Sequence, residues 1–161
     1  MSTPNWPERA AALKVDGRML IDGERRDTQA GATFAKHSPI DNRLLGPIAR
    51  GAAADVDAAV RSARAAFEDG RWAAKSPAAR KKILQRLSEL ILAAREELAL
   101  LETLDMGKPI QYSLSVDVPA CARCIAWYAE AVDKIYDEIA PTAASALALV
   151  TCEPMGVIRV S

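Results

Sequence analysis

Short apolar and extended segments separated by turn residues predict a set of short β-strands early in the chain. The pair Asp22-Gly23 follows an apolar run, and both residues tolerate the positive φ of a tight hairpin turn. A second turn is predicted from Ser38 to Asn42, where Pro39 and neighbouring polar residues interrupt the pattern. The four predicted strands cover residues 19–21, 24–27, 32–37 and 44–49. Together they predict a small antiparallel β layer, preceded by an arm at 1–17 that contains a short helical turn near residues 8–14.

From Asp55 the apolar positions recur with the 3.6-residue period of a helix. A first helix is predicted to end at Gly70 and to bury one stripe, consisting of Val56, Ala59, Val60, Ala63 and Phe67. Ser76 and Pro77 are typical of an N-cap and a first helical position. They begin a long helical region whose leucine and isoleucine stripe continues to a stop at Gly107.

A further helix is predicted to begin at Asp117 and Pro119 and to run out near residues 134–136. Its predicted inner face consists of Cys121, Ala122, Ile125, Tyr128, Ala129 and Val132. The pattern then becomes extended, with strands predicted at 146–151 and 157–160. Strands, then helices, then new strands are the order in which an α/β domain opens.

Composition places the chain among ordinary globular proteins. Half of its 161 residues are apolar, and 21 basic residues balance 21 acidic ones. A net charge of zero gives no electrostatic reason to expect a nucleic acid or an anionic membrane as partner. No apolar run approaches the roughly 20 residues that span a bilayer, and residues 1–9 contain no apolar signal core. We therefore expect a cytoplasmic protein without a nucleic-acid or membrane partner.

The three cysteines form an odd set that favours a reducing compartment over a disulfide framework. Cys121 and Cys124 are three residues apart, a spacing that also occurs in metal and redox sites. Because both fall on the predicted inner face of a helix, core packing is the favoured interpretation. A closed zinc site needs four ligands, and the only histidine, His37, is distant in sequence.

Several segments, in order, resemble the N-terminal part of NAD(P)-dependent aldehyde dehydrogenases. Leu20-Ile21-Asp22-Gly23-Glu24 is similar to the family's early hairpin, and Glu102-Thr103-Leu104-Asp105-Met106-Gly107-Lys108-Pro109 to its helix-ending signature. Glu153-Pro154-Met155-Gly156-Val157-Ile158 is similar to the family's Glu-Pro-Val-Gly-Val-Ile. The other similar segments are residues 38–51, 55–67 and 126–135. Ile125-Ala126-Trp127-Tyr128-Ala129-Glu130-Ala131 most resembles enzymes that oxidise γ-glutamyl-aminobutyraldehyde and related aminoaldehydes.

The resemblance implies the first third of an aldehyde dehydrogenase fold. The expected parts are the antiparallel β layer, three to four helices, an oligomerisation strand and the start of a Rossmann-like parallel sheet. Residues 18–161 would be a truncated N-terminal, cofactor-binding domain, with 145–152 as the oligomerisation strand. The family oxidises an aldehyde to a carboxylic acid with NAD or NADP, using a cysteine thiolate and an oxyanion site. No catalytic or cofactor-binding residue of the family can be assigned here, so the isolated chain is expected to be inactive.

The resemblance also implies roles for three individual residues. Asp105 corresponds to an aspartate of a monovalent cation site, although its place near a helix end also predicts a pairing with Lys108. Val116 and Ala120 correspond to positions at the family's substrate entrance, with ordinary helix packing as the alternative.

Two kinds of partner are implied besides an aldehyde. The strand at 146–151 would pair with a second subunit in a homo-oligomer or with a full-length paralogue, since an exposed apolar strand edge is a template for pairing. The alternative is a strand within the chain's own sheet. The alternative to a dehydrogenase fragment is thus a non-catalytic protein that pairs with a full-length dehydrogenase through this strand.

Overall fold

The structure, a computed structural model, describes residues 4–158. This range is α/β, as the sequence predicts. Its elements are α1 (Trp6–Ala12), β1 (Met19–Ile21), β2 (Glu24–Arg26), β3 (Thr33–His37), β4 (Leu44–Ala49), α2 (Ala53–Glu68), α3 (Pro77–Ala93), α4 (Arg95–Met106), α5 (Ile110–Tyr112), a π-helical turn (Ser113–Asp117), α6 (Val118–Ala131), β5 (Glu138–Ala140) and β6 (Ala148–Val150).

Strands β1 and β2 form the predicted antiparallel hairpin, with Ile21 opposite Glu24. Asp22 and Gly23 have φ values of 54° and 78°, which is the left-handed pair that a two-residue hairpin turn requires. Strand β2 ends one residue earlier than predicted, at Arg26. The local turn chemistry was therefore sufficient to predict this element.

Strands β3 and β4 form a second antiparallel pair, also as predicted. The turn between them is closed by hydrogen bonds of 2.9 Å from the Asn42 N–H to the Ser38 carbonyl and from the Ser38 N–H to the Arg43 carbonyl. Ser38 is almost completely buried, and its hydroxyl accepts a bond from the Ile40 N–H. Gly17 approaches β4 so closely that a Cβ there would lie 2.2 Å from the Pro47 carbonyl oxygen.

Helix α2 buries a face adjacent to the one predicted. The buried residue of its first turn is Asp55, whose carboxylate accepts 2.9 Å hydrogen bonds from the N–H groups of Ala52 and Gln29. These bonds hold the Asp55 side of the helix against the β1–β2 region and lower the pKa of the carboxyl. The predicted core stripe therefore faces outward, with Val56 53% exposed and Val60 49% exposed.

The long helical region divides into two helices at Ala94. Helix α3 begins as predicted, because the Ser76 hydroxyl accepts a bond from the Ala79 N–H and Pro77 is the first helical residue. Ala94 leaves α geometry, with φ −90° and ψ 12°, and its N–H still bonds the Leu90 carbonyl. The prediction of one uninterrupted helix was wrong here, since alanine carries no sequence signal for a break.

The core lies where α4 and α6 pack against each other and against α3. Its fully buried members are small, Ala99, Ala122 and Ala129, and Leu100, Leu104 and Val118 surround them. The buried Ser88 hydroxyl of α3 donates a 2.8 Å hydrogen bond to the Ala122 carbonyl of α6. At the surface of the same contact, Glu130 accepts bonds from Lys81 at 2.6 Å and from Gln85 at 2.9 Å.

The last long helical stretch starts earlier than predicted and buries only part of the predicted inner face, Ala122 and Ala129. It begins at Ile110, so Asp117 is already helical, with φ −71° and ψ −54°. Pro119 cannot donate a backbone hydrogen bond, and in a regular helix its ring would clash with the preceding turn. The turn before it is π-helical, with the Val118 N–H bonded to the Ser113 carbonyl. This turn widens the helix and makes room for the proline ring. The helix ends at Ala131 rather than at 134–136.

The predicted placement of Cys121 and Cys124 in the core was wrong. Both are exposed, because Val118, Ala122 and Ala129 form the buried face of α6. Tyr128, another predicted inner residue, is also exposed. The apolar positions of this helix are too numerous to identify a single face, so periodicity alone left the orientation ambiguous.

Strand β6 lies inside the predicted segment 146–151 and pairs antiparallel with β5, placing Leu149 opposite Ile139. Strand β5 was not predicted, because its residues lie between the predicted helix end near 134–136 and the predicted strand at 146–151. Residues 157 and 158 are not in a strand, and the rest of the strand predicted at 157–160 lies outside the described residues.

The N-terminal arm contains α1, shifted by two residues from the predicted turn. Arg9 forms a 2.5 Å ion pair with Glu96 at the start of α4, and the Arg43 guanidinium donates to the Ala10 carbonyl. Between residues 4 and 158, every helix is too short or too polar to cross a membrane.

The glycine that ends α4 allows a test of how much one residue contributes to the stability of the fold. Gly107 has φ 77°, its N–H bonds the Thr103 carbonyl at 2.9 Å, and a Cβ there would lie 3.1 Å from Pro39 Cγ. We expect Gly107→Ala to lower the free energy of unfolding by about 1–2 kcal/mol from the left-handed backbone alone, and further through the Pro39 contact. Urea unfolding followed by circular dichroism measures the loss.

Gly23→Ala is the matched control, because Gly23 has φ 78° but no neighbouring atom within 4 Å of an added Cβ. Its substitution should carry the backbone cost without the contact. An equal loss in the two variants would show that the approach of Pro39 to Gly107 contributes nothing to stability.

Candidate functional site

The candidate residues cluster around the connection from α4 through α5 and the π-helical turn into α6. Gly107 ends α4, and Pro109 begins the next helical stretch by accepting a 2.9 Å bond from the Tyr112 N–H. Across the turn, the Thr103 hydroxyl donates to the Ser113 hydroxyl at 3.4 Å, and both residues are buried. This buried polar contact fixes the π-helical turn against the last turn of α4.

Asp105 is paired with Lys36 of β3. The Lys36 Nζ lies 2.7 Å from Asp105 Oδ1 and also donates to the Asp105 backbone carbonyl at 3.3 Å. The unfavourable position of an acid near a helix C-terminus is thus compensated by a cation from the β layer. Lys108, the other partner considered from sequence, binds different acids.

Lys108 instead joins the two helices that flank the turn. Its Nζ contacts Asp117 Oδ2 of the π-helical turn and lies 3.6 Å from Glu102 Oε1 of α4. The hydrogen bond to Asp117 raises the pKa of Lys108 by more than desolvation lowers it, and the attraction of the Asp117 and Glu102 carboxylates adds to the increase.

Val116 and Ala120 lie on successive turns beside this network. Val116 belongs to the π-helical turn and is 47% exposed, whereas Ala120 is half-buried in the first turn of α6. π-helical turns are frequent at functional sites. The substrate-entrance role of the two residues stays a prediction.

A cleft of about 410 Å³ adjoins Asp105 on the side of the β layer. Its wall is mostly apolar and includes the Lys36–Asp105 ion pair. The remaining lining residues are Val15, Leu45, Ile48, Leu101, Glu102, Leu104 and Met106. The cleft therefore lies between α4 and the β3–β4 hairpin, next to the ion pair that connects them.

The donor atoms near Asp105 suit a hard cation only in part. Its carboxylate and carbonyl are oxygen ligands of the type that such cations prefer, but the Lys36 ammonium already binds both. Between residues 4 and 158 there is no group of three His, Cys, Asp or Glu side chains that could hold a metal ion. His37 instead places Nδ1 3.0 Å from the Asn42 carbonyl.

The described residues do not by themselves fit a dinucleotide. Dinucleotide-binding folds hold the pyrophosphate at a glycine-rich turn between a parallel strand and a helix. The three sheets seen between residues 4 and 158 are antiparallel pairs, and the glycines stand singly along the chain. A cofactor site that includes this part of the chain therefore requires other elements.

Comparison with known proteins gives the family. The model of the aldehyde dehydrogenase family matches residues 26–160. The chain belongs to the aldehyde dehydrogenase family. This agrees with the resemblance seen in the ordered sequence segments, and the fold matches the N-terminal part of solved aldehyde dehydrogenases.

Three relatives illustrate the similarity. The NADP/NAD-dependent aldehyde dehydrogenase PuuC of Escherichia coli is 47% identical over 95% of this chain and 31% of its own length. Aminoacetaldehyde dehydrogenase of Pseudomonas aeruginosa is 46% identical over 98% of this chain and 32% of its own length. The solved γ-glutamyl-γ-aminobutyraldehyde dehydrogenase of Burkholderia cenocepacia matches with a TM-score of 0.84 and 49% identity, covering 86% of this chain and 28% of that one.

These matches confirm the resemblance to aminoaldehyde-oxidising members of the family. The chain spans about a third of the length of the curated relatives that it matches. Sequence reasoning missed the π-helical turn and the contact of Lys108 with Asp117. It also missed the Lys36–Asp105 pair. No local signal could have revealed it, because the two residues are 69 positions apart and meet only when β3 docks on α4.

The Lys108 network predicts a particular pH dependence of stability. Because the folded-state pKa of Lys108 is raised, its contribution is complete below the unfolded pKa of about 10.4 and is lost as the pH rises through the folded-state value. Lys108→Met should therefore lower the free energy of unfolding at neutral pH and flatten its decline at alkaline pH. Urea unfolding across the alkaline range is the measurement.

Lys108→Arg keeps the charge and should move the alkaline decline to higher pH, whereas Lys14→Met removes an exposed lysine of the arm and should leave the profile unchanged. Identical alkaline profiles for the native chain and Lys108→Met would show that the network does not contribute.

Proposed function

We propose that this chain is the N-terminal part of an enzyme that oxidises an aldehyde to a carboxylic acid with NAD or NADP. The observation that carries the proposal is the family match over residues 26–160, together with identities of 46–47% over at least 95% of the chain. Two of the relatives are named for aminoaldehydes, which supports aminoaldehydes as the substrate class. Three free cysteines are compatible with work in a reducing compartment such as the cytoplasm.

The 161-residue polypeptide alone is proposed not to catalyse this oxidation. The reaction needs a thiolate that attacks the aldehyde, and groups that stabilise the resulting oxyanion. Cys121 and Cys124 lie on the outer face of α6, and the Cys152 N–H is bonded to Asp137 beyond β6. Because the chain spans about a third of the length of its relatives, we assign the reaction to a longer protein or an assembly.

Purified chain mixed with an aminoaldehyde and NAD+ or NADP+ should therefore form no NADH or NADPH. The rate of cofactor reduction, measured from the absorbance of the reduced cofactor, should equal the rate in buffer without protein. The Pseudomonas aeruginosa aminoacetaldehyde dehydrogenase under the same conditions is the positive control. Turnover that follows the polypeptide through successive purification steps would contradict the proposed inactivity.

Asp105 is proposed to contribute oxygen ligands to a monovalent cation in the assembled enzyme. The Lys36 ammonium is the intramolecular competitor for those oxygens at 2.7 Å, so cation binding would require it to move. The test measures the melting temperature of the assembled enzyme while K+ or Na+ is replaced by a bulky organic cation at constant ionic strength. An unchanged melting temperature would contradict this role.

Val116 and Ala120 are proposed to border the route by which the aldehyde enters. The exposure of Val116 on the π-helical turn supports this role, and the small side chain of the half-buried Ala120 leaves room for a substrate with a bulky tail. In a chimera with the remainder of a relative, an Ala120→Met change that leaves the preference between small and bulky aldehydes unaltered would refute it.

A second candidate function rests on the β5–β6 hairpin. Leu149 and Ile139 are 62% and 71% exposed on a two-stranded sheet that has free edges within the described range. We infer that segment 146–151 can add to a sheet of another subunit, either a second copy or a full-length dehydrogenase. In this alternative the chain is a non-catalytic binding partner.

Leu149→Lys should weaken such pairing, because the charge would be buried in the new strand contact. Size-exclusion chromatography with light scattering, on the chain alone and mixed with a full-length relative, measures the loss of complex. Leu20→Lys is the control, since Leu20 is equally exposed but lies on the β1–β2 hairpin. Complexes that resist the Leu149 change would place the contact elsewhere.

A further inference from the structure

Cys121 and Cys124 form an exposed pair of thiols on helix α6. Both cysteines are free, and both are exposed to solvent. Residues three apart on a helix are neighbours, with Cβ atoms about 5–6 Å from each other. The two thiols are therefore held on one side of a rigid element, unlike Cys152, which is also exposed but follows β6.

The packing of α6 does not need either thiol. Its buried face consists of Val118, Ala122 and Ala129, and the Ser88–Ala122 hydrogen bond fastens that face to α3. The pair occupies a different side, where Tyr128, four residues after Cys124, is also exposed. The orientation of the helix thus presents both sulfur atoms to solvent at a fixed spacing.

We propose that Cys121 and Cys124 form a two-thiolate binding site for soft, thiophilic ions, of which trivalent arsenic is the representative. Thiolate sulfur is the ligand that soft ions select. Among residues 4–158 no third His, Cys, Asp or Glu side chain joins the pair to form a metal-binding group. The site therefore suits an ion that needs only two protein thiolates, and not a closed zinc site with four ligands.

The same geometry disfavours a direct disulfide. A disulfide requires Cβ atoms about 3.5–4.5 Å apart, shorter than the roughly 5–6 Å between neighbouring positions on a helix. An ion placed between the two sulfur atoms spans the longer gap without unwinding the helix. Chelation rather than oxidation is accordingly the chemistry that the spacing favours.

Phenylarsine oxide is the probe for this site. Each thiol forms one sulfur–arsenic bond and gives up its proton, and the two protons leave with the arsenic-bound oxygen as one water molecule. Arsenic remains trivalent, so no oxidant or reductant takes part. The product is a macrocyclic chelate, in which the ring passes from arsenic through both sulfur atoms and closes through the backbone between Cys121 and Cys124.

The experiment uses the whole 161-residue chain, reduced and freed of reductant. Native mass spectrometry should detect one phenylarsenic group per chain, retained in an excess of a monothiol and released by a small dithiol. Binding through two linked thiols should exceed binding through one by about 100-fold, because the second bond forms at high effective concentration. Cys121→Ala and Cys124→Ala should each lose that advantage.

Two controls separate chelation from simple thiol reactivity. Cys152→Ala removes the third exposed thiol and should retain the adduct fully. The double variant Cys124→Ala with Arg123→Cys keeps the number of thiols but places the pair two residues apart. Helix side chains at that spacing do not face each other, so this variant should bind as weakly as the single variants. Circular dichroism confirms that each variant keeps its helix content.

The proposal is overturned if the native chain forms no monothiol-resistant adduct. It is equally overturned if single-cysteine variants, or the variant with shifted spacing, retain the adduct as well as the native chain does. Loss of the adduct in Cys152→Ala would assign the binding to a different pair. None of these outcomes depends on whether the chain takes part in aldehyde oxidation.

Discussion

The close contact of α3 with α6 is the constraint on which the rest of the described structure depends. The α6 side of the core contains small residues, Ala122 and Ala129, which are fully buried. The buried Ser88 hydroxyl bonds the Ala122 carbonyl at 2.8 Å, so the contact has a fixed rotation as well as a fixed distance. A buried hydroxyl left without this partner would carry a desolvation cost of about 1–3 kcal/mol, which penalises alternative rotations of α6.

That rotation determines what the helix presents on its other sides. It directs Val118 into the core, leaves Val116 on the surface of the π-helical turn, and exposes Cys121 and Cys124. Pro119 is accommodated in the same region because the π-helical turn widens the backbone just before it. One helix thus provides a core face, a candidate substrate border and a thiol pair, all set by its contact with α3.

Charged contacts connect this helical core to the surrounding elements. Lys36 ties the β3–β4 hairpin to the end of α4 through Asp105, Arg9 ties α1 to Glu96, and Lys108 ties α4 to the π-helical turn. Large apolar side chains remain outside these contacts, including Val56 on α2, Leu87 on α3 and Leu149 on β6. Exposed apolar surface on several elements is typical of interaction sites, and is compatible with a chain that spans about a third of its relatives.

By itself the sequence determined the features that depend on a few neighbouring residues. The Asp22-Gly23 hairpin, the Ser76-Pro77 helix start and the Gly107 stop follow from backbone preferences that operate within a single turn, and the ordered motifs were enough to recognise the family. Tertiary structure decided the features that depend on distant residues. Asp55 turned the apolar stripe of α2 outward by binding Gln29, α6 buried alanines rather than cysteines, and Asp105 found Lys36 across 69 positions. Periodicity shows that a helix has apolar positions, but the choice among its faces is made by whichever partner packs against it.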